Sequence, residues 1–399
     1  MDHLPPELVW LIVDHLHDDK TALKACSLIS RTFLLPAQAR IFENVELRFQ
    51  RGITRHRNID SMQAIISSGP HGVLSHTRKL SIPYPTIISP SRLDEIFDHL
   101  MGFRNIRELR LYLDTSHFVN RDLALASHYF FHFQPVLRSL HLNTFAGNPK
   151  DLIIFLTFFP FLEEVSLSFC DPSPEAVQDS WMEELDSNLL PPLRGILRVR
   201  NAPPDGGFIM ELAKVRVLYH TLELGGHSRL PGTGMSELVA ACTPTLRILK
   251  ISPYCWSFSF PAVDHQLNPK FTVADDVGLD PRLTLTACMQ LTEVRLPAFV
   301  GRSRDSIRLH AALLSTISSP HFHKIELAFS RITPSQHVAG VLSSEHWSIL
   351  EDLLLELTRR SGNTLQLVIL YPGYVQLPPC CNEFMPRFRE VGEVRFDLL

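Results

Sequence analysis

One six-residue pattern, apolar-x-x-apolar-x-apolar, recurs through this chain from residue 42 almost to its last residue. It reads Phe42-Val45-Leu47, Thr77-Leu80-Ile82, Ile106-Leu109-Leu111, Leu137-Leu140-Leu142 and Leu162-Val165-Leu167. It returns as Leu193-Ile196, Tyr219-Leu222-Leu224, Leu246-Leu249-Ile251, Leu291-Val294-Leu296, Phe322-Ile325-Leu327, Thr364-Leu367-Ile369 and Val391-Val394-Phe396. Two apolar residues two apart have the period of a strand with one buried face. Successive starts are mostly about 25–31 residues apart, a spacing that marks stacked repeats. Three intervals are longer and read as insertions; the largest lies between Leu246 and Leu291. Helical periodicity fills the gaps at 91–103, 304–319 and 344–360, the last with Trp347, Leu350, Leu354 and Leu357 on one face. A strand and a helix at a fixed period give an α/β fold, a parallel sheet backed by helices. No unit can bury its apolar face alone, so the units stack into a solenoid. A doubly wound sheet is the competing arrangement, and the fixed period favours the solenoid.

The totals exclude several classes. The chain has 399 residues, 45% hydrophobic and 20% charged, a globular balance and not that of a disordered chain. The net charge of −4 does not suggest a general nucleic-acid surface. Seven cysteines at irregular spacing make no disulfide framework and point to a reducing compartment, cytoplasm or nucleus. Met1-Asp2-His3 offers no basic region for a secretory signal. The apolar run at 152–162 contains Pro160 and is too short to cross a membrane, so no membrane partner is expected.

The first forty residues have another character. Pro5 and Pro6 suit the first turn of a helix, and Glu7 suits the positive end of its dipole. Leu8, Ile12 and Leu16 share one face, while Val9, Trp10, Leu11 and Val13 make the other faces apolar too. Such a helix needs burial on more than one side. Asp18, Asp19 or Thr21 can cap a second helix carrying Leu23, Cys26 and Ile29. A third segment is broken or begun at Pro36. Three short helices bury little surface on their own, so a partner or a neighbouring domain must cover the rest.

This segment resembles an F-box. Leu4, Pro5, Glu7 and Leu8 match that family's opening, and Ile12 and Leu16 match the isoleucine and leucine that follow. Leu23 matches its second-helix leucine, and Ile29, Arg31 and Phe33 match its valine-x-arginine-x-tryptophan element, with Phe in place of Trp. The remainder is similar to the leucine-rich repeats that follow the F-box in many such proteins, notably those of mushroom-forming fungi. Asp114 and Cys170 fall where that repeat usually has Asn or Cys, but Phe145, Tyr254 and Phe299 take the place elsewhere. An irregular superhelix is therefore expected. The resemblance implies an F-box domain at 1–41 and a leucine-rich-repeat-like, substrate-recognition solenoid at 42–399. It implies a Skp adaptor as partner, bound through Leu4, Pro5, Leu8, Ile12, Leu16, Leu23, Ile29 and Phe33. Through the adaptor it implies a cullin-RING ubiquitin ligase, with no catalytic residue and no cofactor in this chain. The residues themselves also fit a plainer role for the helices, capping the first repeat.

In such a sheet the residues between the apolar ones face outward. That selects Arg110, Tyr112, His141, Asn143, Ser166, Ser168, Lys250, Arg295 and Glu326 as candidate contacts for a protein substrate, with Arg and Tyr the types enriched in binding hot spots. Insertions at 255–290 and 331–363 could contribute as well. Other motifs point nowhere further. The glycine-rich stretch 225–236 lacks both the Gly-Lys-Ser/Thr ending of a phosphate loop and a Gly-x-Gly-x-x-Gly turn, and suits a turn into a helix. His128 and His132 have metal-pair spacing without the glutamate of His-Glu-x-x-His, and the aromatics around them suit a packed helix. His321 and His323 straddle a strand start, and Cys380-Cys381 lacks a second Cys-x-x-Cys, so no metal is expected. The basic stretch 48–57 reads as a solvated loop. The expected function is a substrate receptor of a Skp–cullin–F-box ligase. An adaptor-bound scaffold uncoupled from ubiquitination is the alternative, and an enzyme hidden in the α/β fold has no supporting spacing.

Overall fold

The computed structural model describes residues 4–46, 73–83, 102–112, 130–145, 149–169, 190–202, 207–226, 232–252, 282–298, 303–329, 347–371 and 384–398. It divides into two compact units, Met1–Leu167 and Ser168–Leu399. The stretch 48–57, His128, Cys380-Cys381, most of the helix expected at 91–103, most of the insertion at 255–290 and residues 331–346 of the other insertion lie outside the described residues.

The first unit opens with three helices, α1 (Pro6–His15), α2 (Lys20–Ile29) and α3 (Arg31–Ile41). They stand where the F-box resemblance places them. Pro6 takes the first helical position, and Asp19 is the cap of α2: its Oδ1 accepts from the N–H groups of Thr21 (3.0 Å) and Ala22 (2.9 Å). The third helix is not broken at Pro36. It starts at Arg31 and runs through the proline, which is buried. Pro36 lies only just beyond the first turn, so a single backbone bond is lost there, and packing of the ring offsets it. Val9, Val13, Leu23 and Phe33 form the core of this module, with Leu4, Leu16, Cys26 and Ile41 packed around it. Arg40 on α3 ties the module together. It donates to Asp14 of α1 (2.8 Å) and to Glu43 (2.8 Å), and the bonds from Glu43 and Asp14 hold its guanidinium pKa above the ordinary value.

The strands of this unit are β1 (Asn44–Glu46), β2 (Lys79–Pro83), β3 (Glu108–Tyr112), β4 (Ser139–Phe145) and β5 (Glu164–Phe169), in chain order. The parallel register places Val45, Leu80, Leu109 and Leu140 side by side, so the repeated leucines become one buried row. Each strand is entered in the same way. One carbonyl accepts two successive N–H groups of the next repeat: Glu43 from Arg78 and Lys79, Arg78 from Arg107 and Glu108, Arg107 from Arg138 and Ser139. Helix α4 (Pro149–Thr157) follows β4 and precedes β5 in the chain, and its Phe155 packs edge-on against Phe130 and Phe159. Around His132 the described residues show Phe130 in α-helix followed by a 3₁₀ turn at Phe131–Phe133, and the rest of the helix expected there, with His128, lies outside the described residues.

The second unit repeats the plan with β6 (Leu193–Ala202), α5 (Gly207–Lys214), β7 (Val217–Gly226), α6 (Gly232–Cys242), β8 (Ile248–Ser252), β9 (Glu293–Ala298), α7 (Ser303–Ser315), β10 (Lys324–Phe329), α8 (Trp347–Ser361), β11 (Gln366–Tyr371), α9 (Pro386–Arg389) and β12 (Glu393–Leu398). All its strand pairings are parallel, and the row runs Leu197, Leu222, Leu249, Val294, Ile325, Leu367, Val394. One repeat departs from the sequence pattern. The ladder residue of β6 is Leu197 and not Ile196, because the register shifts at Gly195/Ile196 and Gly195 has a φ of +96°. The pairing passes over His220, and the bulge turns Ile196 out of the row. Both units are leucine-rich-repeat-like, a parallel sheet backed by helices. The expected face of α8 is buried, with Trp347, Leu350, Leu354 and Leu357 inside. Glu351 is buried on the same helix, where it accepts from the Arg387 guanidinium and from the backbone N–H of Phe388 (3.0 Å), which fixes α9 against α8. Burial also keeps two thiols protonated, pushing Cys242 up to about 12 and Cys288 up to about 11.

Candidate functional site

Two surfaces carry the residues singled out by sequence, and they differ in chemistry. The first is the helical module. Its core uses only one side of α1: Val9 and Val13 point inward, and a helix advances about 100° per residue. Leu8, Leu11 and Ile12 therefore share an outer face, with Leu11 55% exposed. Leu28 and Ile29 on α2 and Leu35 on α3 are also in solvent, at 86%, 58% and 59%. Of the residues the resemblance assigns to an adaptor, Pro5, Leu8, Ile12 and Ile29 are exposed, Leu4 and Leu16 are half-buried, and Leu23 and Phe33 are interior. The adaptor-contact set drawn from sequence left out Leu11, Leu28 and Leu35. The signal was present, since all three lie off the buried stripe of their helix.

The second surface is the outward face of the strands, taken unit by unit. In the first unit Arg110 and His141 are opposite each other, as are Tyr112 and Asn143; β5 carries Ser166 and, past the last residue of that unit, Ser168. Glu108, not selected from sequence, is the hub. It accepts from the Arg110 Nε (2.7 Å), pairs with Lys79 (3.1 Å), and lies 3.7 Å from the His141 Nε2. The second unit has two similar hubs. Glu223 accepts from Arg198 (2.8 Å) and Lys250 (3.2 Å) on the strands either side. Glu326 holds Arg295, opposite it on β9, and the Lys324 Nζ (2.8 Å). Burial raises the pKa of Glu108, Glu223 and Glu326, but hydrogen bonds and charge from their basic partners outweigh it, so all three titrate below the ordinary carboxylate value. Period-2 alternation would have found both: Glu223 lies between Leu222 and Leu224, and Glu108 lies one step back along β3 from Arg110.

On the same face of β10 and β11, Ala328, Val368 and Leu370 make a small buried apolar cluster. The selected polar residues are thus already engaged with one another, and a ligand on this face would meet paired charges.

No family model matches the sequence. No curated protein matches it either. A chain in the crystal structure of the yeast Rad7 and Elc1 complex resembles it in structure. That chain is 12% identical, with a TM-score of 0.33, over 94% of this chain and 91% of its own length. A likeness that slight carries no functional argument, and the reading below rests on the residues. No described helix is long and apolar enough to cross a membrane.

Proposed function

We propose that this chain is the substrate-recognition subunit of a Skp–cullin–F-box ubiquitin ligase, with the three-helix module binding the Skp adaptor and the repeats binding a protein substrate. One observation carries the reading. The module closes its own core with Val9, Val13, Leu23 and Phe33 and still leaves Leu8, Leu11, Ile12, Leu28, Ile29 and Leu35 in water. An apolar set of that size on forty residues suits a permanent helical interface, which resembles a core cut in half. The match of Leu4, Pro5, Glu7 and Leu8 to the F-box opening supports the choice of partner. The described chemistry supports a receptor over an enzyme: the glutamates are ion-paired and the buried thiols are held neutral.

The test is co-expression with the Skp adaptor, with Leu8→Asp/Ile12→Asp as the control. Stoichiometric co-purification that the control abolishes is expected. A soluble, folded chain that never captures the adaptor would overturn the proposal and leave the helices as a cap on the first repeat. Reconstitution with cullin and RING subunits then separates a receptor, whose ligands become ubiquitinated, from an uncoupled scaffold.

A further inference from the structure

A cavity of about 340 Å³ opens in the first unit where the helical module meets the entry edge of β2 and β3. Its chemistry departs from that of the chain around it. Arg40, Arg78 and Arg107 line it with Glu43; Arg40 is held by both Asp14 (2.7 Å) and Glu43 (2.8 Å), which leaves one net positive charge there in a protein whose net charge is −4. Trp10, 42% exposed on the side of α1 away from Leu8 and Ile12, forms an aromatic wall. Asn105 donates to the Ser75 carbonyl (2.7 Å) and fixes the rim.

The arginines follow from the repeat. Arg78, Arg107 and Arg138 occupy the same position in three successive units, joined through their backbones by the carbonyl relay described above. Neighbouring strands lie about 4.8 Å apart, so like charges stacked this way repel unless each finds a counter-charge. Arg138 has one, at 3.7 Å from Glu163, and its guanidinium also lies over the Phe161 ring. Arg78 reaches Glu43 only at 4.0 Å, and that carboxylate is already held by Arg40 at 2.8 Å. Arg107, which is exposed, has neither a carboxylate nor a ring among the described residues. The row is one anion short, and the gap falls inside the cavity.

We propose that the cavity lined by Trp10, Arg40, Arg78 and Arg107 binds an aromatic phosphate monoester. A phosphate monoester carries a charge of about −1.5 to −2 at neutral pH and would supply the missing counter-charge to Arg107 and a closer one to Arg78, which reaches Glu43 only at 4.0 Å. Guanidinium forks bind phosphate oxygens in pairs, and adjacent strands present two forks to one anion. The cavity is within the size range of small-molecule sites, and the indole gives an aryl group a surface to stack on. The site is independent of the adaptor reading, since Trp10 and the arginines lie off the Leu8–Ile12 face.

Titration calorimetry of the full chain at low salt tests it, with phenyl phosphate, a short phosphotyrosine peptide, inorganic phosphate and phenol as probes. Phenyl phosphate binds and phenol does not. Arg107→Gln and Arg78→Gln each weaken phenyl phosphate by about tenfold or more, the scale of a lost charged hydrogen bond. Trp10→Ala weakens phenyl phosphate while sparing inorganic phosphate. Peptide binding tighter than phenyl phosphate identifies a modified side chain as the source, and equal binding identifies a free small molecule. Because Arg107 is exposed, Arg107→Gln keeps the wild-type melting curve. Absence of binding by every phosphate probe at millimolar concentration, or equal binding by a folded Arg107→Gln chain, would overturn the assignment.

Discussion

Leu109, Leu222 and Leu249 have no exposed surface, and each is flanked in register by an apolar residue of the repeat before and after it. Leu8, Leu11, Leu28 and Leu35, in the helical module, stand in water. The same residue type serves two ends. In the repeats each inner strand of the row finds cover in its neighbours, so these leucines are buried inside the chain. The module has three short helices and one small core, and it cannot turn all its leucines inward. Apolar surface left over by a closed core is available to a partner. Substitutions on the two sides of this comparison should separate cleanly in stability and in binding.

The largest effect belongs to the repeat row. Leu249→Ala removes a side chain wedged between Leu222 and Val294, and Leu140→Ala does the same beside Leu109. Each should destabilise by about 2–5 kcal/mol, the range for large-to-small changes at fully buried sites. Urea unfolding measures it. A change below about 1 kcal/mol at both positions would break the comparison, since the row would then not be core.

Next come the charged hubs of the outward face. Glu326→Gln keeps the shape but leaves Arg295 and Lys324 without their carboxylate, and should destabilise by about 1–3 kcal/mol. Acid should act on the same groups. Glu108, Glu223 and Glu326 titrate below the ordinary 4.5, so their contribution is complete above that value and is lost as pH falls through their lower folded values. His310 acts earlier. Burial takes its pKa from 6.5 down to about 4, so between those values the unfolded chain binds the extra proton and stability falls with pH. Thermal melts from pH 7 to pH 3 should show both limbs, and His310→Leu should flatten the upper one alone.

A smaller effect separates the module from the repeats. Asp19 caps α2 through two backbone N–H groups, and Asp19→Ala should destabilise by about 1 kcal/mol. Hydrogen exchange will show whether the loss is confined to α2, as expected of a module with its own core, or spreads into the strands.

Much of this architecture could be read from the residues, because the repeat writes its own register. Twelve apolar groups, each with two members two residues apart or nearly so, became strands, and the face of α8 was set by Trp347, Leu350, Leu354 and Leu357. The misreadings share a cause. Ile196 and Leu197 are equally apolar, and only the bulge near Gly195, a backbone event, decides which enters the row. Pro36 signals a break locally, but packing within the module keeps the helix whole. The candidate sites were harder. Outward residues are chosen by alternation, yet their meaning lies in who stands opposite. Glu108 and Glu223 became hubs through pairings about 25–30 residues apart, which no local pattern encodes. Likewise Leu23 and Leu28 are indistinguishable as leucines on one short helix until α1 and α3 cover one of them and not the other.

The smallest effect on stability falls on that exposed residue, and it sharpens the comparison most. Leu28→Ser touches no core cluster, so its unfolding curve should stay within about 0.5 kcal/mol of wild type. If the leftover apolar surface is an interface, the same change should weaken adaptor capture by more than tenfold, as loss of a central apolar contact does. Leu23→Ser, five residues away and fully buried, should unfold the module and lose capture for that reason. Surface plasmon resonance on the wild type and the Leu28 variant, with their melts alongside, separates the causes. Loss of capture at unchanged stability would mean that Leu28 is exposed in the free chain because its cover lies on another protein. Unchanged capture would remove α2 from the interface and leave α1 to carry it.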